Sequence, residues 1–144
     1  MMTALRANEL TVGQTFETVV VEDLKRTQIV QYAGASGDYN PLHTDEVYTT
    51  KIADYPSVFA HGMLTMGLTG QAVTALAGTE NLLRFGVRFT AQVWPGDTLT
   101  VHATVASITD GDGGPAAEFS LSTVNAEGKE VMSGYAQVRL AGSG

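Results

Sequence analysis

The sequence predicts an α+β domain in which an antiparallel sheet is wrapped around one long central helix, and three observations predict it. Residues 58–76 form the longest apolar segment, at helical spacing and without a polar face. Four strand-like runs follow it, at 82–94, 97–109, 116–125 and 130–140, separated by turns rich in Gly, Pro and Asp. A β-branched run, Thr15–Val21, precedes it.

Taken in order, Thr15–Val21 suits a strand, and Asp23 stands where it could cap a helix running to about Ala35. Leu24, Ile29, Val30 and Ala33 would form part of that helix's apolar face. Gly37 then breaks the helix, and Pro41 biases Asn40 toward extended backbone, so 36–41 is a structured loop. Residues 44–48 spell a short capped helical turn, and 54–57 a second loop. In the central helix Phe59, Met63, Leu64, Met66, Leu68, Val73, Ala75 and Leu76 occupy nearly the whole circumference, with Gln71 the one large polar residue. A helix apolar all round must be wrapped by other structure. Gly62, Gly67 and Gly70 each weaken it by up to about 1 kcal/mol relative to Ala, which close packing against a curling sheet should offset. Leu99, Val101, Ala103 and Val105 alternate with Thr98, Thr100, His102 and Thr104, the pattern of a strand with one buried face.

The chain has 144 residues, enough for one domain over 1–144 that buries roughly two thirds of its unfolded surface. It has no cysteine, which excludes disulfides, thiolate metal sites and a Cys nucleophile. A net charge of −7 with eight scattered Lys and Arg offers no basic stripe for nucleic acid. Met1 to Arg6 lack the apolar core of a signal peptide, and no apolar stretch of about 18 residues exists, so no membrane partner and a cytoplasmic setting are expected. His43, His61 and His102 lack metal-ligand spacing, and Ser36 and Ser57 lie in no nucleophile elbow, so neither a metal nor another cofactor is expected.

Asp38 and His43 lie in a loop shaped by Gly37 and Pro41. A carboxylate and an imidazole can hold one water and exchange protons with it and with a neighbouring carbon. The same residue types also occur in loops as turn caps and surface groups. Ala60-His61-Gly62-Met63, at the start of the apolar helix, strengthens the catalytic reading. A helix N-terminus presents free N–H groups to a carbonyl that gains negative charge, and Gly62 would admit it closely. Packing against the sheet is the other use for Gly62, and His61 is read as a capping or hydrogen-bonding residue.

The run from Tyr32 to His43, Tyr-Ala-Gly-Ala-Ser-Gly-Asp-Tyr-Asn-Pro-Leu-His, followed by Ala60-His61-Gly62-Met63-Leu64, resembles the hydratase signature of the MaoC-like and (R)-specific enoyl-CoA hydratase family. Val87-Arg88-Phe89 and Trp94-Pro95-Gly96-Asp97 resemble the family's strand and turn after the helix. The resemblance implies a hot-dog fold and reversible hydration of trans-2-enoyl thioesters to (3R)-3-hydroxyacyl thioesters in fatty-acid metabolism. It implies that Asp38 and His43 are the catalytic pair, that Asn40 and Pro41 brace their loop, and that Gly62 is the oxyanion-hole donor. Some relatives carry a Ser near the position of Gly70, which this chain lacks. The substrate would be an acyl-CoA or an acyl-ACP, the acidic chain leaning toward CoA. Tyr55, Pro56 and His61 are candidates for the acyl channel, and Arg84 and Arg88, on one face of a strand, for phosphates or for a merely solvated face. A homodimer is expected; a heterodimer with a second hot-dog subunit and an acyl-thioesterase are the alternatives.

Overall fold

A computed structural model describes residues 4–142; Met1 to Thr3 of the N-terminal segment read above lie outside the described residues. The strands are β1 (Thr15–Val21), β2 (Leu82–Phe89), β3 (Leu99–Gly111), β4 (Gly114–Val124) and β5 (Glu130–Arg139), and the helices are α1 (Arg26–Ser36) and α2 (Gly62–Ala77). The strands form one antiparallel sheet in the order β1-β3-β4-β5-β2, which leaves β1 and β2 at its edges.

The predicted alternation in β3 holds, with Leu99, Val101, Ala103 and Val105 all buried. In register with them, Leu121 lies opposite Ala103, Phe119 opposite Val105, and Ala136 opposite Phe119. Val73 and Ala77 of α2 complete this core. A second apolar cluster joins Leu64 of α2 to Leu24, Ile29, Val93, Leu99, Val131 and Met132, anchoring both helices at one end of the sheet.

Strand β2 alternates between two surfaces. Phe85 and Phe89 face α2, where a Cβ added at Gly70 or Gly62 would lie 3.1 or 3.2 Å from their rings. The close packing expected at the helix glycines is therefore present at these two positions and absent at Gly67, which has open space around it. Where β5 curls toward β2, a Cβ on Gly134 would come within 2.3 Å of the Gly86 carbonyl oxygen, so only glycine permits this approach.

Several sequence expectations are corrected. Asp23 does not cap α1: the helix starts at Arg26 behind Lys25, and Asp23 instead pairs with Lys25 while its N–H donates to Thr98 Oγ1. Val30 is 53 % exposed, because the buried stripe of α1 is Ile29 and Ala33. The turn read at 44–48 extends further along the chain, as a π-type turn at Tyr48–Ile52 entered through Asp45, whose Oδ1 accepts from the Tyr48 N–H. β2 ends at Phe89 rather than near residue 94. The stretch beyond it is drawn toward β5 and the loop before α2: Thr90 N–H donates to Val131 O, and Val93 O accepts from Ala60 N–H. Finally, α2 is covered on one side only. Met63, Gly67, Gln71 and Ala75 form an exposed stripe, since one five-stranded sheet cannot reach around the whole helix.

Candidate active site

Helix α1 stops at Gly37, whose left-handed backbone (φ 76°) lets its N–H close on Ala33 O. The chain then makes a series of side-chain-to-backbone bonds. Asp38 N–H donates to Ser36 Oγ at 3.2 Å, Asn40 N–H to Asp38 Oδ1 at 3.2 Å, and Leu42 N–H to Asn40 Oδ1 at 3.0 Å. Asn40 thus caps the short turn Pro41–His43, and Pro41 occupies a first-turn position where a missing N–H costs nothing. Asn40 and Pro41 thus open the turn that leads from Asp38 to His43. Thr49, fully buried, adds a tie from its hydroxyl to Pro41 O at 3.1 Å.

His43 Nδ1 lies 2.6 Å from Phe59 O. A carbonyl only accepts, so Nδ1 carries the hydrogen and Nε2 of the neutral ring is left with its lone pair. Nε2 lies 4.0 Å from Asp38 Oδ2, the oxygen not engaged by Asn40. A water about 2.8 Å from each atom fits that gap. The Asp38 side chain is 53 % exposed and that of His43 only 11 %, so the carboxylate lies at the surface of the site and the imidazole beneath it.

Asp38 and Gly62 line one cleft of about 450 Å3, together with Tyr32, Ser36, His61, Met63 and Phe89. Gly62 opens α2, where the first N–H groups have no acceptor within the helix. The Asp38 carboxylate and the start of α2 thus face the same space. A second cleft of about 340 Å3, lined by Phe59, Thr65, Val93 and Val131 among others, shares Gly62 and Phe89 with the first.

His61 is buried, stacks on His43 at 3.7 Å and donates from Nε2 to Asp38 O at 3.0 Å. Its hydrogen-bonding role was expected, and its partner was not. Tyr55 packs on Phe59, whose ring in turn meets His43, so Tyr55 lies one ring away from the pair, while Pro56 is exposed and lines neither cleft. Arg84 and Arg88 do not join the site. Phe85 and Phe89 face α2, so residues 84, 86 and 88 project from the opposite surface of the sheet, where Arg84 lies over the Tyr135 ring at 5.5 Å.

Three contributors were missed. Phe59 acts through its carbonyl, a group every residue has, so no sequence signal marks it. Tyr32 packs edge-on against His61 at 4.8 Å. Glu46 accepts from Arg26 and from the Val58 N–H, tying α1 to the segment before α2; the Arg26 guanidinium, and then the Val58 N–H, hold its carboxyl below the usual carboxylate range.

Asp38, His43 and His61 bring ligand-type atoms within 4.8 Å of one another. The two imidazoles stack with planes only 23° apart, however, and each already spends one nitrogen on a carbonyl. Their lone pairs lie in the ring planes, so two nearly parallel rings cannot both aim at one ion at the ~2.0–2.1 Å of a zinc–imidazole bond. The arrangement suits a water between a carboxylate and an imidazole.

A curled antiparallel sheet around one long helix defines the hot-dog class, and solved structures agree. R-hydratase PhaJ1 from Pseudomonas aeruginosa superposes with a TM-score of 0.84 at 28 % identity, over 97 % of this chain and 88 % of that one. The family model described as MaoC like domain matches residues 7–126. This chain belongs to the MaoC-like domain family. Among curated relatives, 3-hydroxyacyl-thioester dehydratase Y of Mycobacterium tuberculosis is 41 % identical over 68 residues, 45 % of this chain and 23 % of that protein. Peroxisomal enoyl-CoA hydratase 2 of Arabidopsis thaliana is 29 % identical over 125 residues, 85 % of this chain and 37 % of that protein. The chain spans well under half the length of these curated relatives.

Proposed function

We propose that this chain adds water reversibly to trans-2-enoyl thioesters, giving (3R)-3-hydroxyacyl thioesters, as a hydro-lyase of fatty-acid metabolism. The observation that carries this reading is the 4.0 Å gap between Asp38 Oδ2 and His43 Nε2, beside a cleft that Asp38 shares with the free end of α2. A water held in the gap loses a proton to the pair as its oxygen bonds to the β-carbon. Electron density moves through the double bond onto the thioester oxygen, where the Gly62 N–H stabilises it. A proton then passes to the α-carbon, and dehydration reverses each step. The acyl chain extends past Gly62 and Phe89 into the second cleft, and the thioester is carried by CoA or by an acyl carrier protein.

The exposed stripe of α2 and the edge strand β2, with Leu83 and Phe89 about half exposed, support assembly as a homodimer. Native mass measurement tests this: a mass of two identical chains supports it, and a second, different hot-dog subunit overturns it.

For the reaction, crotonyl-CoA is mixed with the purified protein. Loss of conjugated-enoyl absorbance with no free thiol, and a product of R configuration, are expected. Release of free thiol without hydration would instead make the chain a thioesterase.

A further inference from the structure

We propose that His61 is a positioning residue that clamps Asp38 and His43 into one working geometry; the role rests on the hydration reading above. Its imidazole touches both members of the pair. Nε2–H donates to the Asp38 backbone oxygen at 3.0 Å, and the ring stacks on that of His43 at 3.7 Å. Tyr32 of α1 packs edge-on against it at 4.8 Å. The residue also directly precedes Gly62, so one side chain joins the carboxylate loop, the imidazole and the helix end that receives the carbonyl oxygen.

Ordinary packing does not account for a histidine here. The residue is 2 % exposed, and its Nδ1 is the one buried side-chain nitrogen or oxygen without a partner among the described residues. A buried nitrogen with no protein partner costs stability that a phenyl ring of similar shape would not. The remaining polar function of the ring is the bond from Nε2 to Asp38. That bond matters because Asp38 follows the left-handed Gly37 in an exposed loop, where its other ties are to Ser36 and Asn40, close neighbours in the same loop. His61 adds the tie to a rigid element, the start of α2. A water bridging a 4.0 Å gap tolerates little drift, and misplacement of a reacting group by about 1 Å can cost on the order of 100-fold in rate. A clamp of this kind acts on the chemical step and leaves substrate binding nearly unchanged.

Two substitutions separate the clamp from plain filling of space. His61→Phe keeps an aromatic ring against His43 and removes the donor. His61→Gln keeps an N–H at similar reach and removes the ring. With crotonyl-CoA, His61→Phe is expected to lower kcat about 30- to 100-fold with KM within about twofold, and His61→Gln to recover much of the rate. A fall in kcat under about tenfold for His61→Phe, or a Gln variant no faster than the Phe variant, overturns the clamp. Should His61→Phe not fold, the parent protein decides. Imidazole NMR of the unmodified chain is expected to place the hydrogen of His61 on Nε2, and a hydrogen on Nδ1 alone overturns the contact. A parent inactive on every enoyl thioester overturns the hydration reading and the catalytic meaning of the clamp, whereas the tautomer result speaks to the contact by itself.

Discussion

In the sheet, β3, β4 and β5 bury Val105, Phe119 and Ala136 side by side, and two long backbone ladders, each with one register shift, carry the hydrogen bonding. Between residues 36 and 61 the chain is held differently. Ser36, Asp38, Asn40 and Thr49 each satisfy a particular backbone group, and His43 and His61 each donate to one particular carbonyl. In the first region any apolar side chain of similar volume can serve at a buried position. In the second, hydroxyl, carboxylate and amide groups differ in reach and in what they donate, so few exchanges keep the bond. Stability should therefore reside mainly in the sheet and chemistry in the loop.

The sharpest way to break that division is to change the pair itself. Asp38→Asn and His43→Ala are each expected to lower the hydration rate about 10²- to 10⁴-fold, and the thermal midpoint of Asp38→Asn, a change of like size at a half-exposed side chain, should be nearly unmoved. A midpoint that collapsed along with the rate would mean that the loop is also structural. The converse substitution lies in the sheet. Phe119→Ala removes a ring that is 1 % exposed and should destabilise the fold by about 3–5 kcal/mol in urea denaturation, while the folded fraction keeps its kcat.

Asn40→Ala tests the boundary between the two regions. Loss of the bond to the Leu42 N–H should cost about 1 kcal/mol of stability, and the hydration rate should fall by more than that cost implies, because the turn it caps ends at His43. The smallest effect concerns pH. The folded-state pKa of Glu46 lies below its ordinary value near 4.5, through Arg26 first and the Val58 N–H second. A lowered carboxylate pKa means that the contact stabilises the fold above the unfolded value and is lost as pH falls through the folded one. The thermal midpoint should therefore slip slightly on acidification below about pH 4.5. Glu46→Gln should lack that component, and an identical acid profile in both proteins would remove Glu46 from the account.

The sheet was legible because side chains alternate across a strand whatever the strand pairs with, so Leu99 to Val105 announce a buried face before any partner is known. The local loop bonds were legible for a related reason: an Asx-type bond from Asn40 reaches only two residues along the chain, and Gly37 and Pro41 restrict the backbone at their own positions. By itself the sequence determined the antiparallel α+β order, the Asp38–His43 loop and the opening of α2 at Gly62. Tertiary structure alone decided what spans long separations. It chose Phe59 O as the partner of His43, stacked His61 under the same ring, turned Arg84 and Arg88 away from the site, and left one stripe of α2 uncovered. Sequence pattern reports which side of an element a residue occupies; which distant group meets it there depends on how sheet, helix and loop pack in three dimensions.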